Sequence, residues 1–164
     1  MCGLSGNATI AGKENRITIR RPRRGEEKTF LMLVDALADY EKLRRPGRSA
    51  RVRLIRDGFS KRRRFDPYLV FVRGVPAGYA IVFETYSSFL AKPTLYLEDI
   101  FILPEHRGKG AGLKLFRHCV GEARRRKCGR MEWCVLDWNK SAIRFYDRAG
   151  AKQMKSWLLY RLAP

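Results

Sequence analysis

Residues 95–112, reading LYLEDIFILPEHRGKGAG, constrain this chain more than any other stretch. The first half, 95–103, is apolar and β-branched or aromatic at most positions, the pattern of a buried strand. Pro104 ends it, because proline has no N–H for a sheet ladder and holds its predecessor extended. Gly108, Gly110 and Gly112 then crowd into five positions directly before an amphipathic segment. A glycine-rich turn that opens a helix leaves main-chain N–H groups pointing outward. With the positive end of the helix dipole they make a seat for phosphate. A buried strand carrying two acids, Glu98 and Asp99, therefore runs straight into an anion cradle.

Two phosphate-loop patterns fail here. No G-x-x-x-x-G-K-[ST] spacing exists, and Leu113 stands where a G-x-G-x-x-G fingerprint needs its third glycine. The spacing that fits is R-x-x-G-x-G, at Arg107, Gly110 and Gly112.

A chain of 164 residues suits one domain with a full hydrophobic core, and 45% hydrophobic residues argue against disorder. Residues 1–15 are small, polar and glycine-containing and read as a loose tail before a domain over 16–164. No run approaches the roughly 18 apolar residues of a membrane span, and the N-terminus lacks a signal-peptide pattern. These features predict a cytoplasmic protein without a membrane partner. Cys2, Cys119, Cys128 and Cys134 form no C-x-x-C pair and have no histidine at ligand spacing, so reduced, mostly buried thiols and no metal are expected. Met1-Cys2-Gly3 resembles the start of amidotransferases with an N-terminal cysteine nucleophile, but no strand follows to seat it. The formal charge of +19 is clustered at Arg20-Arg21, Arg23-Arg24, residues 61–64 and residues 124–127. Such blocks either solvate the surface or bind polyanions non-specifically; no interleaved aromatics supply a stacking platform.

The order of elements follows from periodicity. Residues 16–21 alternate as a first strand. Phe30, Leu31, Val34, Leu37, Ala38 and Leu43 mark a helix closing near Pro46-Gly47, and a second helical piece over 49–57 stops at Gly58. Residues 68–73 and 77–86 read as antiparallel strands joined by a turn at Gly74-Val75-Pro76. After the strand 95–103, Leu113, Phe116, Cys119, Val120 and Ala123 form the stripe of another helix. A strand at 131–136, a helix from an Asn139 N-cap to Gly150, and a strand at 157–162 complete a mixed α/β plan.

Three motifs carry a resemblance. They are LYLEDIF at 95–101, RGKGAG at 107–112 and WNKSAIRFYDRAGA at 138–151, with Tyr40-Glu41 as a further match. On these residues the chain resembles the GNAT superfamily of N-acetyltransferases, most of all its spermidine/spermine and thialysine branch. The resemblance implies a twisted, mostly antiparallel mixed sheet of about seven strands flanked by about four helices. It also implies acetyl-CoA as cofactor and a homodimer. Backbone N–H groups of Ile100, Phe101 and Ile102 would hold the pantetheine and the thioester oxygen. The segment Arg107, Gly108, Lys109, Gly110, Ala111, Gly112 and Leu113 would hold the pyrophosphate, with Asn139 touching the CoA arm.

Acetyl transfer to an amine needs a neutral amine, a stabilised oxyanion and a proton for the leaving thiolate. Deprotonating an alkylammonium of pKa near 10 costs about 4 kcal/mol at pH 7. Alternation puts Tyr96, Glu98, Ile100 and Ile102 on one strand face and Asp99 on the other. The resemblance assigns Glu98 as general base through a water and as substrate anchor, and Tyr146 as general acid. Tyr40, Glu41 and Asp99 would complete the substrate contacts. Ile143 and Tyr146 share one helix face, and Ala142, Phe145 and Ala149 a core-facing one. His106 and His118 read as surface residues. Lys155 stands where the polyamine enzymes place an acid, which disfavours long polyamines and leaves a shorter or amino-acid-like primary amine. Two further readings stay open: a nucleic-acid- or ribosome-associated binding protein on the same scaffold, and an acetyltransferase of proteins or peptides.

Overall fold

The computed structural model describes residues 16–163, so the expected tail and the Met1-Cys2-Gly3 motif lie outside the described residues. In chain order the elements are β1 (Ile17–Arg20), α1 (Glu27–Tyr40), α2 (Arg48–Phe59), β2 (Asp66–Val72), β3 (Val75–Ser87) and β4 (Lys92–Ile102). A short 3-10 turn (Pro104–His106) follows, then α3 (Ala111–Arg125), β5 (Arg130–Glu132) and α4 (Lys140–Arg148). The strands form one sheet in the order β1-β2-β3-β4-β5. All neighbours are antiparallel except β5, which runs parallel to β4. The chain divides into two compact units, one up to Trp133 holding the sheet and α1 to α3, the other from Cys134 on holding α4.

In the first unit α1 covers one face of the sheet. Phe30 and Leu33 are fully buried and pack with Leu69, Phe71, Tyr79, Ile81 and Phe101. Burying side chains of that size contributes about 1.5–3 kcal/mol each. Residues opposite one another in an antiparallel pair share a face, so Tyr79↔Phe101 and Ile81↔Asp99 place Asp99 on the α1 side. The other face, where Ile102 meets Gly112, takes α3 through Ala111, Leu115, Phe116, Cys119 and Ala123. Leu113, expected in that stripe, is exposed, and Leu115 stands in the core instead.

Several boundaries differ from expectation for identifiable reasons. The expected α1 reached Pro46-Gly47, yet it ends at Tyr40, leaving Leu43 60% exposed. Lys42 turns left-handed at φ 58°, and the Leu43 N–H bonds back to the Ala38 carbonyl. This is a Schellman closure on a lysine, a residue that does not advertise it. α3 ends in the same way through Lys127 at φ 56° and Cys128 N–H to Ala123. Gly58 does not stop α2; it lies inside the helix, where a Cβ would sit 2.6 Å from the Phe65 ring. The β2–β3 turn uses Arg73 and Gly74, both at positive φ, while Pro76 belongs to β3 opposite Phe71. Two consecutive left-handed residues match the twist of a two-residue hairpin.

The sheet has five strands among the described residues, not about seven. The strand expected over 131–136 is paired only at Arg130–Glu132. Residues 157–162 form no strand, and Trp157, Tyr160 and Leu162 are 72%, 85% and 91% exposed. Apolar alternation offers a face, but a strand also needs a neighbour to complete its ladder.

In the second unit the Asn139 side chain accepts a hydrogen bond from the Ala142 N–H, capping α4 as expected. Gly150 at φ 86° and the bond from Ala151 N–H to the Tyr146 carbonyl close it. Among the described residues, no helix is long and apolar enough to cross a membrane.

Candidate functional site

β4 is the element on which the site is built. Its ladder with β3 shifts register, pairing Asp99 with Ile81 and Leu97 with Val82, so Glu98 is the extra residue of a β-bulge. A bulge leaves one residue unpaired and re-aims the chain. It therefore overturns the strict alternation expected for this strand. Tyr96 lies opposite Phe83, with ring centroids 5.2 Å apart, and shares the α1 face with Asp99 and Phe101. Ile100 and Ile102 take the α3 face, and Glu98 is exposed. On its other edge β4 pairs with β5 only at Thr94, Leu95 and Tyr96. From Leu97 onward that edge, which includes the main chain of Ile100, Phe101 and Ile102, has no ladder partner among the described residues of the first unit.

The acids converge at the bulge. The Tyr79 hydroxyl donates to Asp99 Oδ2 at 3.0 Å. Burial pushes the Asp99 carboxyl up to about 6; the Tyr79 hydrogen bond opposes this, while the charges of Glu98 and Glu41 add to it. Burial likewise raises Glu41, which caps the C-terminal end of α1. Burial and the Asp99 charge drive the Tyr79 phenol far above its ordinary value, so it is a hydrogen-bond donor at any working pH. Tyr79 was not singled out in the sequence. It reads there as an ordinary core aromatic, and only the register brings its hydroxyl to Asp99.

Arg107 joins this cluster to the glycine turn. Its Nε donates to the Ile102 carbonyl at 2.8 Å, and its guanidinium lies 4.6 Å over the Tyr40 ring and 5.4 Å over Phe101. Tyr40 itself packs on Phe101 at 5.9 Å. The arginine thus clamps the end of α1 to the end of β4, so Tyr40 and Glu41 stand beside Glu98 and Asp99. Tyr40, Glu41, Glu98, Asp99 and Arg107 are brought together, and a local excess of negative charge results in a chain of net +19.

The glycine turn follows directly. Gly108 and Gly110 adopt φ of 71° and 83°, and Gly110 is the N-cap of α3 with no side-chain cap bond. The first helical bond runs from Lys114 N–H to the Gly110 carbonyl. The N–H groups of Ala111, Gly112 and Leu113 therefore have no acceptor within the helix. A Cβ on Gly112 would meet only the Ile102 side chain at 3.7 Å, and Lys109 Nζ bonds to the Glu105 carbonyl. Bare donors, a helix dipole and open space fit the diphosphate of a nucleotide cofactor.

Asn139 and Tyr146 belong to the second unit. Tyr146 is the buried side chain of α4 and stacks edge-on with Phe145 at 5.3 Å, whereas Ala149, expected to face a core, is exposed. His118 is not a surface residue: its ring packs against Tyr68 at 4.5 Å, its Nε2 is buried, and burial lowers its pKa. Cys119 is buried, Cys128 partly so and Cys134 exposed, and no metal-ligating cluster occurs among the described residues.

Known proteins resemble this chain. Residues 31–151 fit the profile described as acetyltransferase (GNAT) family. Thialysine N-epsilon-acetyltransferase of Bos taurus is 30% identical over 156 residues, covering 88% of this chain and 91% of that protein. L-ornithine N5-acetyltransferase of Arabidopsis thaliana is 46% identical over 88 residues; the match covers 54% of this chain but only 39% of that relative. Among solved structures, an aminoglycoside N-acetyltransferase in complex with CoA superposes with a TM-score of 0.74 at 17% identity, covering 93% of this chain and 99% of that one.

Proposed function

The chain belongs to the acetyltransferase (GNAT) family, and from that membership we propose that it moves an acetyl group from acetyl-CoA directly to a primary amine of a small, amino-acid-like molecule. The observation that carries this reading is the cluster of Glu41, Glu98 and Asp99 at the β4 bulge, directly before the glycine turn. An ammonium is attracted there, although the chain as a whole repels cations.

Acetyl-CoA supplies the activated acyl group as a thioester. The N–H groups of residues 108–113 hold the diphosphate, and the free edge of β4 at Ile100 to Ile102 hydrogen-bonds the pantetheine. An N–H of that edge would stabilise the negative charge that develops on the acyl oxygen. In a ternary complex Glu98 would accept the ammonium proton through a water, and Tyr146 would supply a proton to the leaving sulfur. Asn139 contacts the CoA arm. Asp99, held by Tyr79, and Glu41 orient the cationic acceptor, with Tyr40 as one wall. Lys155 repels the second ammonium of a long polyamine and tolerates a carboxylate. The similarity to thialysine and ornithine acetyltransferases supports an acceptor with a side-chain amine on an amino acid.

The test is thiol release from acetyl-CoA across thialysine, ornithine, lysine, diamines, spermidine and a basic peptide. Amino acids with a side-chain amine should turn over fastest, and Tyr146→Phe should lower kcat by about 10²–10⁴. Preference for spermidine would reject the acceptor class. If no amine releases thiol and CoA leaves the melting temperature unchanged, the acetyl-transfer reading fails altogether.

A further inference from the structure

Two of the basic clusters that acetyl transfer does not use lie in loops, and the fold joins them. The β1–α1 connection carries Arg21, Arg23 and Arg24; the α2–β2 connection carries Lys61 and the three arginines that follow it. Both line one cavity of about 270 Å³, with Arg21, Arg24 and Arg63 on its walls and Phe59, Pro22 and Pro67 beside them. The Asp66 carboxylate ties the two loops together. It binds Arg21, Arg63 and Arg126 together, the last at 2.5 Å, so one negative charge gathers three guanidiniums. Burial opposes the charge on Asp66, yet the three arginines hold its carboxyl below the usual range. Arg23, Arg24, Lys61, Arg62 and Arg64 are exposed, and among the described residues no salt bridge reaches them.

This surface is separate from the glycine turn. Arg126, the C-cap of α3, reaches Asp66, whereas the anion seat is at Gly110, the N-cap of the same helix. Fifteen helical residues at 1.5 Å each put them roughly 22 Å apart.

We propose that the face formed by these two loops binds the phosphodiester backbone of a nucleic acid. All but one of its cations are arginines, whose forked donors match phosphate oxygens two at a time. The Asp66 link pre-orders two of them. Neither loop exposes an aliphatic or aromatic anchor of the kind a lipid surface or an apolar protein interface would use. The aromatic neighbour Phe59 is half-buried, so the surface reads charge rather than base identity.

The full chain, saturated with CoA, would be titrated into a fluorescein-labelled single-stranded RNA and a labelled DNA duplex, with anisotropy followed from 50 to 200 mM salt (conditions on the order of those where such slopes are read). With about five phosphates engaged, the log–log salt slope should be roughly −3.5 for the single strand and −4.5 for the duplex. The triple variant Arg24→Glu/Lys61→Glu/Arg62→Glu should lose about 100-fold in affinity while its circular dichroism and acetyl transfer stay as in the parent. A control of equal charge, Arg144→Glu/Arg148→Glu/Lys152→Glu, should change affinity far less. The proposal is overturned if both triple variants lose affinity equally, if the loop variant binds like the parent, or if the oligonucleotide binds only when CoA is left out. Binding to phosphatidylserine vesicles but to neither oligonucleotide would assign the surface to a membrane instead.

Discussion

Replacing Tyr79 by Phe removes one oxygen from the site and little else. The ring keeps its place against Phe30, to which it stands edge-on at 5.7 Å, so the α1 core survives. The Asp99 carboxylate loses the hydroxyl that donates at 3.0 Å. A hydrogen bond to a charged group is worth about 1.5–3 kcal/mol, and one pKa unit corresponds to about 1.4 kcal/mol. That bond favours the ionised form, so its removal should raise the Asp99 pKa further, by roughly one to two units from about 6. The consequence for stability has a definite sign. A carboxyl whose folded pKa lies above its unfolded 3.8 contributes fully below that pH, and the contribution is lost as pH rises to the folded value. In the parent about 3 kcal/mol should disappear between pH 4 and pH 7 from this group. In Tyr79→Phe the loss should be larger and extend toward pH 8. The assay is a ¹³C titration of the Asp99 carboxyl together with urea melts at stepped pH. A midpoint that falls, or one unchanged within a few tenths, would refute the account of how this acid is held. In steady-state kinetics, the acid limb of kcat/KM should move in the same direction as the titration.

Other substitutions test the frame around that acid. Gly110→Ala should cost about 1–2 kcal/mol, because φ 83° is left-handed, and should weaken the rise in melting temperature produced by CoA. Gly78→Ala should be the more damaging of the two glycine changes. Its Cβ would meet the Phe101 carbonyl at 2.2 Å and the Ile102 side chain at 2.6 Å, prising β3 from β4, with a loss on the order of 3 kcal/mol by chemical denaturation.

Much of the plan was legible because it is local. A glycine with φ above zero, an asparagine three residues before its N–H partner and a stripe at helical spacing are all short-range, and they located the glycine turn, the α4 cap and α3. The two acids of β4 stand out in the strand itself, whereas the Tyr40-Glu41 pair and the roles of all four come from family likeness. The bulge was not. Nothing within residues 95–103 distinguishes Leu97 opposite Val82 from the pairing that strict alternation demands. The choice belongs to the neighbouring strand, which must serve α1 with Tyr79 and Ile81 and α3 with Ala80 and Val82.

The same division accounts for the remaining differences. Lys42 and Lys127 close helices in a conformation that glycine usually signals, with the Leu43 and Cys128 N–H groups bonded back to the Ala38 and Ala123 carbonyls. Arg107 stands in a phosphate-loop motif, yet its side chain is spent on Ile102 and Tyr40, groups that the fold alone brings near. Residues 157–162 have strand composition without a ladder partner. The sequence by itself determined which backbone torsions and which amphipathic faces were available. Tertiary structure decided which residues met, because pairing energy depends on a partner far along the chain and is invisible in any short window.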